Sequence, residues 1–349
     1  MKLFKSLFMV LKLGTLILSS IFLTTCVTEQ KIDYSPTFVP EEGNIHLVEI
    51  TDDQDKVSGP LINFNTPNPA WYPNDLISVS PDNQFIAFLA YTNKSRNIFI
   101  KKVEGGLSTI QRTFRTEIID VAFSPDSKNI AFSDFGDGSD NVYMINTSQG
   151  SSVQQITSTP SNETGPAFSP DSKLIYFSKS EIVSSHVNAQ GLTENTYRYY
   201  IWSYNRDNAT LTQYTDGTTP CVLQDGKRLL VTRANKETNK GEIWMFDAVS
   251  GQETMIYRDK DKGFSSAQIS PDGKTIVFVG STLKSNTKPA NLDIFTINLD
   301  GTGLTQLTFH PGHDVSPVWS PDGKSIYFLS QRGNNEGKWN VWKMNYNKL

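Results

Sequence analysis

Apolar and polar residues alternate along most of the chain in a pattern that recurs six times. Each copy has an apolar residue before a Ser-Pro-Asp or equivalent turn, and further apolar residues four and six positions after the turn's aspartate. Apolar side chains two residues apart lie on one face of a strand, so each copy predicts two strands around a tight turn. The aspartates that mark the copies are Asp82, Asp126, Asp171, Asp225, Asp272 and Asp322.

The spacing of the copies predicts the architecture. Successive aspartates are 44, 45, 54, 47 and 50 residues apart, and a third apolar run follows each hairpin. A weaker fourth strand follows that run in five copies. Internal repeats of this length are typical of propellers and solenoids. We therefore predict an all-β fold, a six-bladed β-propeller whose blades are four-stranded and antiparallel.

The sixth copy has few residues after its third apolar run, so its fourth strand must come from elsewhere. Residues 59–65 are predicted to supply it, because an N-terminal strand that completes the last blade removes the open sheet edge. Residues 44–50 predict an additional strand whose partner the sequence does not identify. In the fourth copy Leu223 and Gln224 replace the serine and proline of the turn, which predicts a blade with a less regular turn.

The N-terminal region indicates targeting. Residues 1–25 combine a basic start with an apolar run too short to span a bilayer, as in a signal peptide. The run ends in Leu-Thr-Thr-Cys26, which resembles the lipobox of bacterial lipoproteins. The resemblance implies that Cys26 is lipidated and holds the protein in the cell envelope, with the outer membrane, facing the periplasm, favoured. An uncleaved anchor with an incidental cysteine is the alternative.

The rest of the chain divides into a tether and a domain. Residues 26–42 contain prolines and charges with little periodicity, which predicts a flexible tether, and residues 43–349 form the predicted propeller. The net charge of −4 and the pI of about 5.7 do not support nucleic-acid binding. With Cys26 acylated, Cys221 is the remaining cysteine, and its strand position predicts a small buried hydrophobe.

The copies around Asp171 and Asp322 resemble the WD-like repeats of the TolB propeller family, and the resemblance covers residues 60–349. It implies the propeller fold, whereas functions in this family differ: Tol–Pal envelope proteins, propeller domains of peptidases, and oligosaccharide lyases. The tether is too short for the α/β domain that precedes the TolB propeller, so we expect a lipid-anchored form without that domain. The sequence contains no Gly-x-Ser-x-Gly elbow, which excludes peptidase chemistry of the α/β-hydrolase type.

Blade topology predicts where a site lies. The Ser-Pro-Asp turns occupy one rim of the disc, so the connections between second and third strands must lie on the opposite rim, together with the inter-blade loops. We call this opposite rim the long-loop rim. The third copy carries an insert of about 14 residues within residues 179–198, and the fifth a smaller one at residues 281–291. Loops of this length are often functional, so the long-loop rim is the predicted binding face.

Polar residues on this rim suggest two kinds of site. His310, His313 and Asp314 lie in one inter-blade loop, where they could bind a metal or transfer protons, or form a solvated turn. Glu163 and Asn74 occupy the position of Asp314 in other copies. Oxygen ligands of this kind, if they converge at the channel mouth, suit Ca²⁺, and solvated loop residues are the alternative. No other cofactor is predicted.

Tyr197 and Tyr199, in the insert of the third copy, could stack on a sugar or a peptide. The favoured function is a membrane-tethered, non-catalytic and monomeric propeller that binds a protein or peptide of the bacterial cell envelope. Two alternatives remain. One is a lipoprotein that binds glycans, and the other is a carbohydrate lyase or hydrolase with a metal at the channel mouth.

Overall fold

Six four-stranded antiparallel sheets make up the computed structural model, which describes residues 46–60, 75–104, 108–115, 117–136, 138–148, 150–238, 240–281, 291–333 and 337–346. The first strand is β1 (Leu47–Glu49), followed by a 3₁₀ turn at Asp53–Asp55. Blade 1 contains β2 (Ile77–Val79), β3 (Phe85–Thr92), β4 (Ser95–Lys102) and β5 (Thr109–Gln111). Blade 2 contains β6 (Ile118–Phe123), β7 (Asn129–Asp134), β8 (Asn141–Asn146) and β9 (Val153–Gln155). Blade 3 contains β10 (Glu163–Phe168), β11 (Leu174–Val187), β12 (Thr193–Asn205) and β13 (Leu211–Asp216).

The remaining blades follow the same order. Blade 4 contains β14 (Thr218–Val222), β15 (Arg228–Ala234), β16 (Gly241–Asp247) and β17 (Glu253–Tyr257). Blade 5 contains β18 (Phe264–Ile269), β19 (Thr275–Ser281), β20 (Leu292–Asn298) and β21 (Thr305–Gln306). Blade 6 contains β22 (Asp314–Trp319), β23 (Ser325–Ser330), β24 (Asn340–Asn345) and β1. The first strands of neighbouring blades are in contact, and β22 contacts β2, so the ring is closed. The predicted six-bladed propeller is confirmed.

The Ser-Pro-Asp turns share one hydrogen-bond network. In blade 3, Ser169 Oγ donates to Asp171 Oδ1 at 2.6 Å, and the same Oγ accepts from the Leu174 amide at 2.9 Å. The residue after the aspartate has a positive φ in all six turns, which explains why it is Gly, Asn or Ser. In blade 4, Asp225 Oδ1 instead accepts from the amides of Lys227 and Arg228. The backbone of this turn matches that of the other blades, since the Leu223 amide donates to the Arg228 carbonyl and the Gly226 amide to the Leu223 carbonyl, both at 2.9 Å. The less regular turn expected for the fourth blade is therefore not found, and only the hydrogen bonds of the serine side chain are replaced.

The closing strand was assigned to the wrong segment. Leu47 pairs with Met344 and Glu49 with Trp342, so β1 completes blade 6. Thr51 shows why this segment fits: its hydroxyl accepts from the Val341 amide at 2.8 Å, as Thr308 accepts from the Ile294 amide at 2.9 Å in blade 5. Residues 59 and 60 are outside any strand, and residues 61–65 lie outside the described residues.

The blades pack through the apolar residues that the repeat predicts. The side chains six positions after each turn aspartate are fully buried: Phe88, Phe132, Phe177, Val231, Phe278 and Phe328. Cys221 is buried as predicted, and burial raises the pKa of its thiol to about 12. The signal peptide, Cys26 and the tether lie outside the described residues. Within the described part of the chain, no helix is long and apolar enough to span a membrane.

Candidate binding rim

The insert of blade 3 forms a projecting β-hairpin. Strands β11 and β12 continue beyond the blade, where Ile182 pairs with Tyr197 and Val187 with Thr193. Between Ile182 and Arg198, the two strands pair only with each other among the described residues. The side chains of this segment are exposed, except that of Asn188, which is half-buried. We call residues 182–198 the arm. A two-stranded hairpin outside a blade is marginally stable in water, so an arm of this kind gains from a binding partner.

The two faces of the arm differ in polarity. Successive residue pairs of the hairpin point to opposite faces, so one face carries Ile182, Val187 and Tyr197. On the other face His186 Nε2 lies 3.1 Å from Glu194 Oε2. At the base of this face Arg198 Nη2 contacts Asp216 Oδ2 at 3.1 Å. One face of the arm, which we call its apolar face, therefore presents Ile182, Val187 and Tyr197 around the polar Ser185–Asn195 pair, and the other face presents His186, Glu194 and Arg198.

Exposed aromatic side chains are found on the long-loop rim. Tyr91 lies near the end of β3, Phe135 in the connection between the second and third strands of blade 2, Phe114 and Phe309 in inter-blade loops, and Tyr197 on the arm. Among the described residues, the exposed aromatic side chains are these five, and none lies on the rim of the Ser-Pro-Asp turns. Exposed apolar groups concentrated on one surface mark an interaction site.

The histidine loop is built into the fold. His313 Nδ1 accepts a hydrogen bond from the Leu292 amide at 3.2 Å, and burial lowers the pKa of this imidazole to about 4. Asp314 is fully buried, and its Oδ2 accepts from Arg332 Nη2 at 2.6 Å. His310 is half-buried, with its Nδ1 accepting from the Gly312 amide at 2.9 Å. At neutral pH His313 is therefore an uncharged group that holds the loop against β20.

The other polar residues predicted for the rim do not gather around this loop. Glu163 is buried in blade 3, opposite blade 6 in the ring, where Thr159 Oγ1 donates to its Oε1 at 2.7 Å. Asn74 lies outside the described residues. Within the described residues, no group of three or more His, Cys, Asp or Glu side chains is arranged to hold a metal ion. The calcium site and the rim residues stay predictions.

Tyr197 and Tyr199 differ in exposure. Tyr197 is about half exposed on the apolar face of the arm, whereas Tyr199 is half-buried where the arm leaves the blade. His186 lies on the arm, in blade 3, so it does not join His310 and His313 in the opposite blade. The structure therefore supports a contact surface around Tyr197 and no histidine cluster at the channel.

Two carboxyl groups with raised pKa values, those of Asp75 and Asp120, lie at the first strands of blades 1 and 2. Asp75 Oδ2 accepts a hydrogen bond from Gln268 Nε2 at 2.8 Å. This bond joins blade 1 to blade 5, the two neighbours of blade 6. Burial, together with the neighbouring carboxylate of Asp120, raises the pKa of Asp75 to about 7. Burial raises the pKa of Asp120 to about 6, although Asp120 accepts from the amides of Ser133 and Gly165.

The sequence reasoning missed a buried arginine between blades 1 and 2. Arg96 is the second residue of β4 and is fully buried, and its Nη1 lies 3.8 Å from Glu117 Oε1. None of its three guanidinium nitrogens has a hydrogen-bond partner. The equivalent positions in other blades include Asp140, Gly241 and Leu292, so no repeat pattern marks Arg96 in the sequence. Its environment comes from contacts between blades, which the sequence does not display.

Comparison with known proteins identifies relatives of this propeller. The family model of the TolB beta propeller domain matches residues 76–256 and 182–348. The Tol-Pal system protein TolB of Francisella tularensis subsp. holarctica is 24% identical over 281 residues, which cover 78% of this chain and 59% of that protein. Dipeptidyl-peptidase 5 of Porphyromonas gingivalis is 42% identical over 69 residues, 20% of this chain and 10% of that enzyme.

A solved structure shows the same fold. The crystal structure of TolB from Acinetobacter baumannii superposes with a TM-score of 0.58 at 20% sequence identity, covering 75% of this chain and 64% of that one. The chain spans less than two thirds of the length of each of these three relatives. At this level of identity the structural similarity establishes the fold alone.

Proposed function

Because this chain belongs to the family of TolB beta propeller domains, we propose that it is a membrane-tethered, non-catalytic propeller that binds a protein or peptide partner in the bacterial cell envelope. The matched regions together extend over most of the propeller. The family includes the Tol-Pal system proteins among its relatives, which favours an envelope role. The lipobox-like segment that ends at Cys26 supports the tether.

The observation that carries the proposal is the exposed aromatic surface of the long-loop rim. Aromatic residues are enriched at protein interfaces, and they dominate binding energy where they become buried against a partner. Five exposed aromatic side chains lie on the long-loop rim, and among the described residues none lies on the opposite rim. The long-loop rim is therefore the side of the disc that offers aromatic contacts to a partner. A protein or peptide that covers this rim would remove these rings from water.

The arm supports the same assignment. Its apolar face carries Ile182, Val187 and Tyr197, each about half exposed or more. Its outer strand edges have unpaired backbone groups, which a partner strand can extend by β-sheet pairing. A polypeptide satisfies both requirements, because it offers backbone hydrogen bonds and apolar side chains together. A glycan offers no strand to pair with these edges.

The test is affinity capture from detergent-solubilised envelopes with the full-length protein as bait. One variant replaces the arm's apolar face (Ile182→Ser, Val187→Ser, Tyr197→Ser), and a matched control, Val249→Ser, changes an exposed apolar residue on the opposite rim. We expect a stoichiometric protein partner with the wild type and the control, and its loss with the arm variant. A partner that the arm variant retains, or a wild type that captures none, contradicts the proposal.

A further inference from the structure

We propose that Arg96 is a recognition residue for a carboxylate group of the bound polypeptide, and that Glu117 occupies this position until the partner arrives. The proposal rests on the proposed function, since it specifies the chemistry of the partner at one point of the long-loop rim. It locates a binding site at the junction of blades 1 and 2.

Arg96 is a buried cation whose ion pair with Glu117 is too long for a hydrogen bond. The Arg96 side chain is 0% exposed, yet its Nε, Nη1 and Nη2 have no hydrogen-bond partner. A buried guanidinium without partners is strongly unfavourable, because the lost hydration is not replaced. A group that accepts hydrogen bonds from Arg96 would therefore bind with a large favourable change in free energy.

Other inward-facing arginines show what a satisfied arginine looks like in this protein. Arg115 donates to Asp134 at 2.7 Å, Arg233 to Glu253 at 2.6 Å, and Arg332 to Asp314 at 2.6 Å. Each of these arginines has a carboxylate at hydrogen-bond distance. Arg96 differs from them in lacking this contact, and a carboxylate is the group that completes the pattern.

Glu117 is poorly placed to serve as that carboxylate. Its Oε1 lies 3.8 Å from Arg96 Nη1, beyond hydrogen-bond distance, and is itself buried without a hydrogen-bond partner. Burial raises the pKa of Glu117 more than the Arg96 charge lowers it. The Glu117 side chain is 33% exposed, so it can turn towards water and open the way to Arg96.

The surroundings of Glu117 suit a polypeptide rather than a small inorganic anion. The Phe135 amide donates to the Glu117 carbonyl at 3.2 Å, and Phe114 precedes Glu117 by three residues. Tyr91 is the strand partner of Arg96. Tyr91, Phe114 and Phe135 are 39%, 85% and 49% exposed, so the segments that flank Arg96 and Glu117 each carry an exposed aromatic residue. A carboxylate beside an apolar side chain matches this arrangement.

The first experiment is chemical rescue. Glu117→Ala removes the covering carboxylate and leaves room beside Arg96, and the thermal midpoint is measured in sodium acetate and in sodium chloride at equal ionic strength and pH 7. Ligands that bind only the folded state raise its stability by mass action. We expect acetate to raise the midpoint of Glu117→Ala by about 2–4 °C relative to chloride, and to leave the midpoint of Glu117→Ala/Arg96→Lys unchanged. No acetate effect on the single variant overturns the proposal.

The second experiment tests recognition in the wild-type protein. N-acetylphenylalanine carries a carboxylate beside an aromatic ring, and its amide lacks the charge. We expect the acid to bind at least about tenfold more tightly than the amide, and this preference to be lost in Arg96→Lys, which keeps the charge but not the bidentate geometry. Equal binding of acid and amide, or inorganic phosphate binding as well as the acid, contradicts a carboxylate site.

Capture of the envelope partner separates this inference from the proposed function. If the partner binds wild type and Arg96→Lys equally while the arm variant loses it, the function stands and the carboxylate site is wrong. If Arg96→Lys weakens capture about tenfold or more and Glu117→Gln strengthens it, both are supported.

Discussion

Asp75→Asn should stabilise the protein at alkaline pH and have little effect at acidic pH. Asp75 lies at the first strand of blade 1, where burial and the Asp120 carboxylate raise its pKa from the ordinary value of 3.8 to about 7. The unfolded chain therefore releases this proton near pH 4, whereas the folded protein holds it until about pH 7. The folded state loses stability as pH rises through this window, and the loss is complete above the folded pKa.

The size of the effect follows from the two pKa values. A difference of one pKa unit corresponds to about 1.4 kcal/mol, so the interval from 3.8 to about 7 sets an upper limit of about 4 kcal/mol. Because Asp120 titrates with Asp75, the share that one substitution removes is smaller, roughly 2 kcal/mol. Asparagine keeps an oxygen that accepts from Gln268 Nε2, so the bond between blades 1 and 5 survives.

Urea unfolding of wild type and Asp75→Asn at pH 5, 6, 7 and 8, followed by tryptophan fluorescence, measures this difference. Asp126→Asn is the matched control, because hydrogen bonding by Ser124 lowers the pKa of Asp126 and its carboxylate stabilises the fold above the unfolded pKa. The control should be less stable than wild type at pH 7. A difference in unfolding free energy between Asp75→Asn and wild type that stays constant from pH 5 to pH 8 would contradict a raised pKa of Asp75.

Three further predictions concern the closing strand, the repeated turn and the anchor. Thr51→Val removes the hydroxyl that contacts the Val341 amide and Asn340, and should lower the unfolding free energy by about 1–2 kcal/mol. The equivalent Thr308→Val in blade 5 should have a similar effect. An unchanged unfolding free energy in Thr51→Val would contradict the role of Thr51 in closing the ring. Ser169→Ala should cost about 1 kcal/mol in thermal or urea unfolding, whereas Ser152→Ala, at an exposed serine, should cost nothing measurable. Cys26→Ser should move the protein from the membrane fraction to the soluble fraction and abolish labelling by a fatty acid, and a variant that stays in the membrane rules out the lipid anchor.

The repeat made the blade architecture predictable, because the same apolar spacing and turn occur in every copy. The closing strand could also have been found. Residues 47–51 read Leu-Val-Glu-Ile-Thr, which resembles Leu-Thr-Gln-Leu-Thr at residues 304–308 and Val-Gln-Gln-Ile-Thr at residues 153–157. The threonine at the end of each segment is the signal, since it accepts from the neighbouring third strand. Residues 59–65 lack it, and their apolar content alone suggested the role.

The candidate site was less predictable for a physical reason. His310, His313 and Asp314 are adjacent in sequence, but the partner of Asp314 is Arg332, and His313 contacts Leu292 of the preceding blade. Their surroundings are set by neighbouring strands and blades that the local motif does not mention. The projecting insert of blade 3 was predictable from its length, whereas its alternating faces required the bulge at Val183, which shifts the register between Ile182 and Ser184.

The position of β1 also determines the order in which the chain can fold. Leu47 is made before blades 1 to 5, and its partner Met344 is made after them. Blades 1 to 5 consist of consecutive segments with local contacts, which form quickly, whereas the last sheet depends on contact between residues almost 300 positions apart. Until β24 is available, β1 has no partner and blade 6 has no complete sheet. Ring closure is therefore the slow and final step, and the period before it is when exposed strand edges leave this chain open to mispairing with its neighbours.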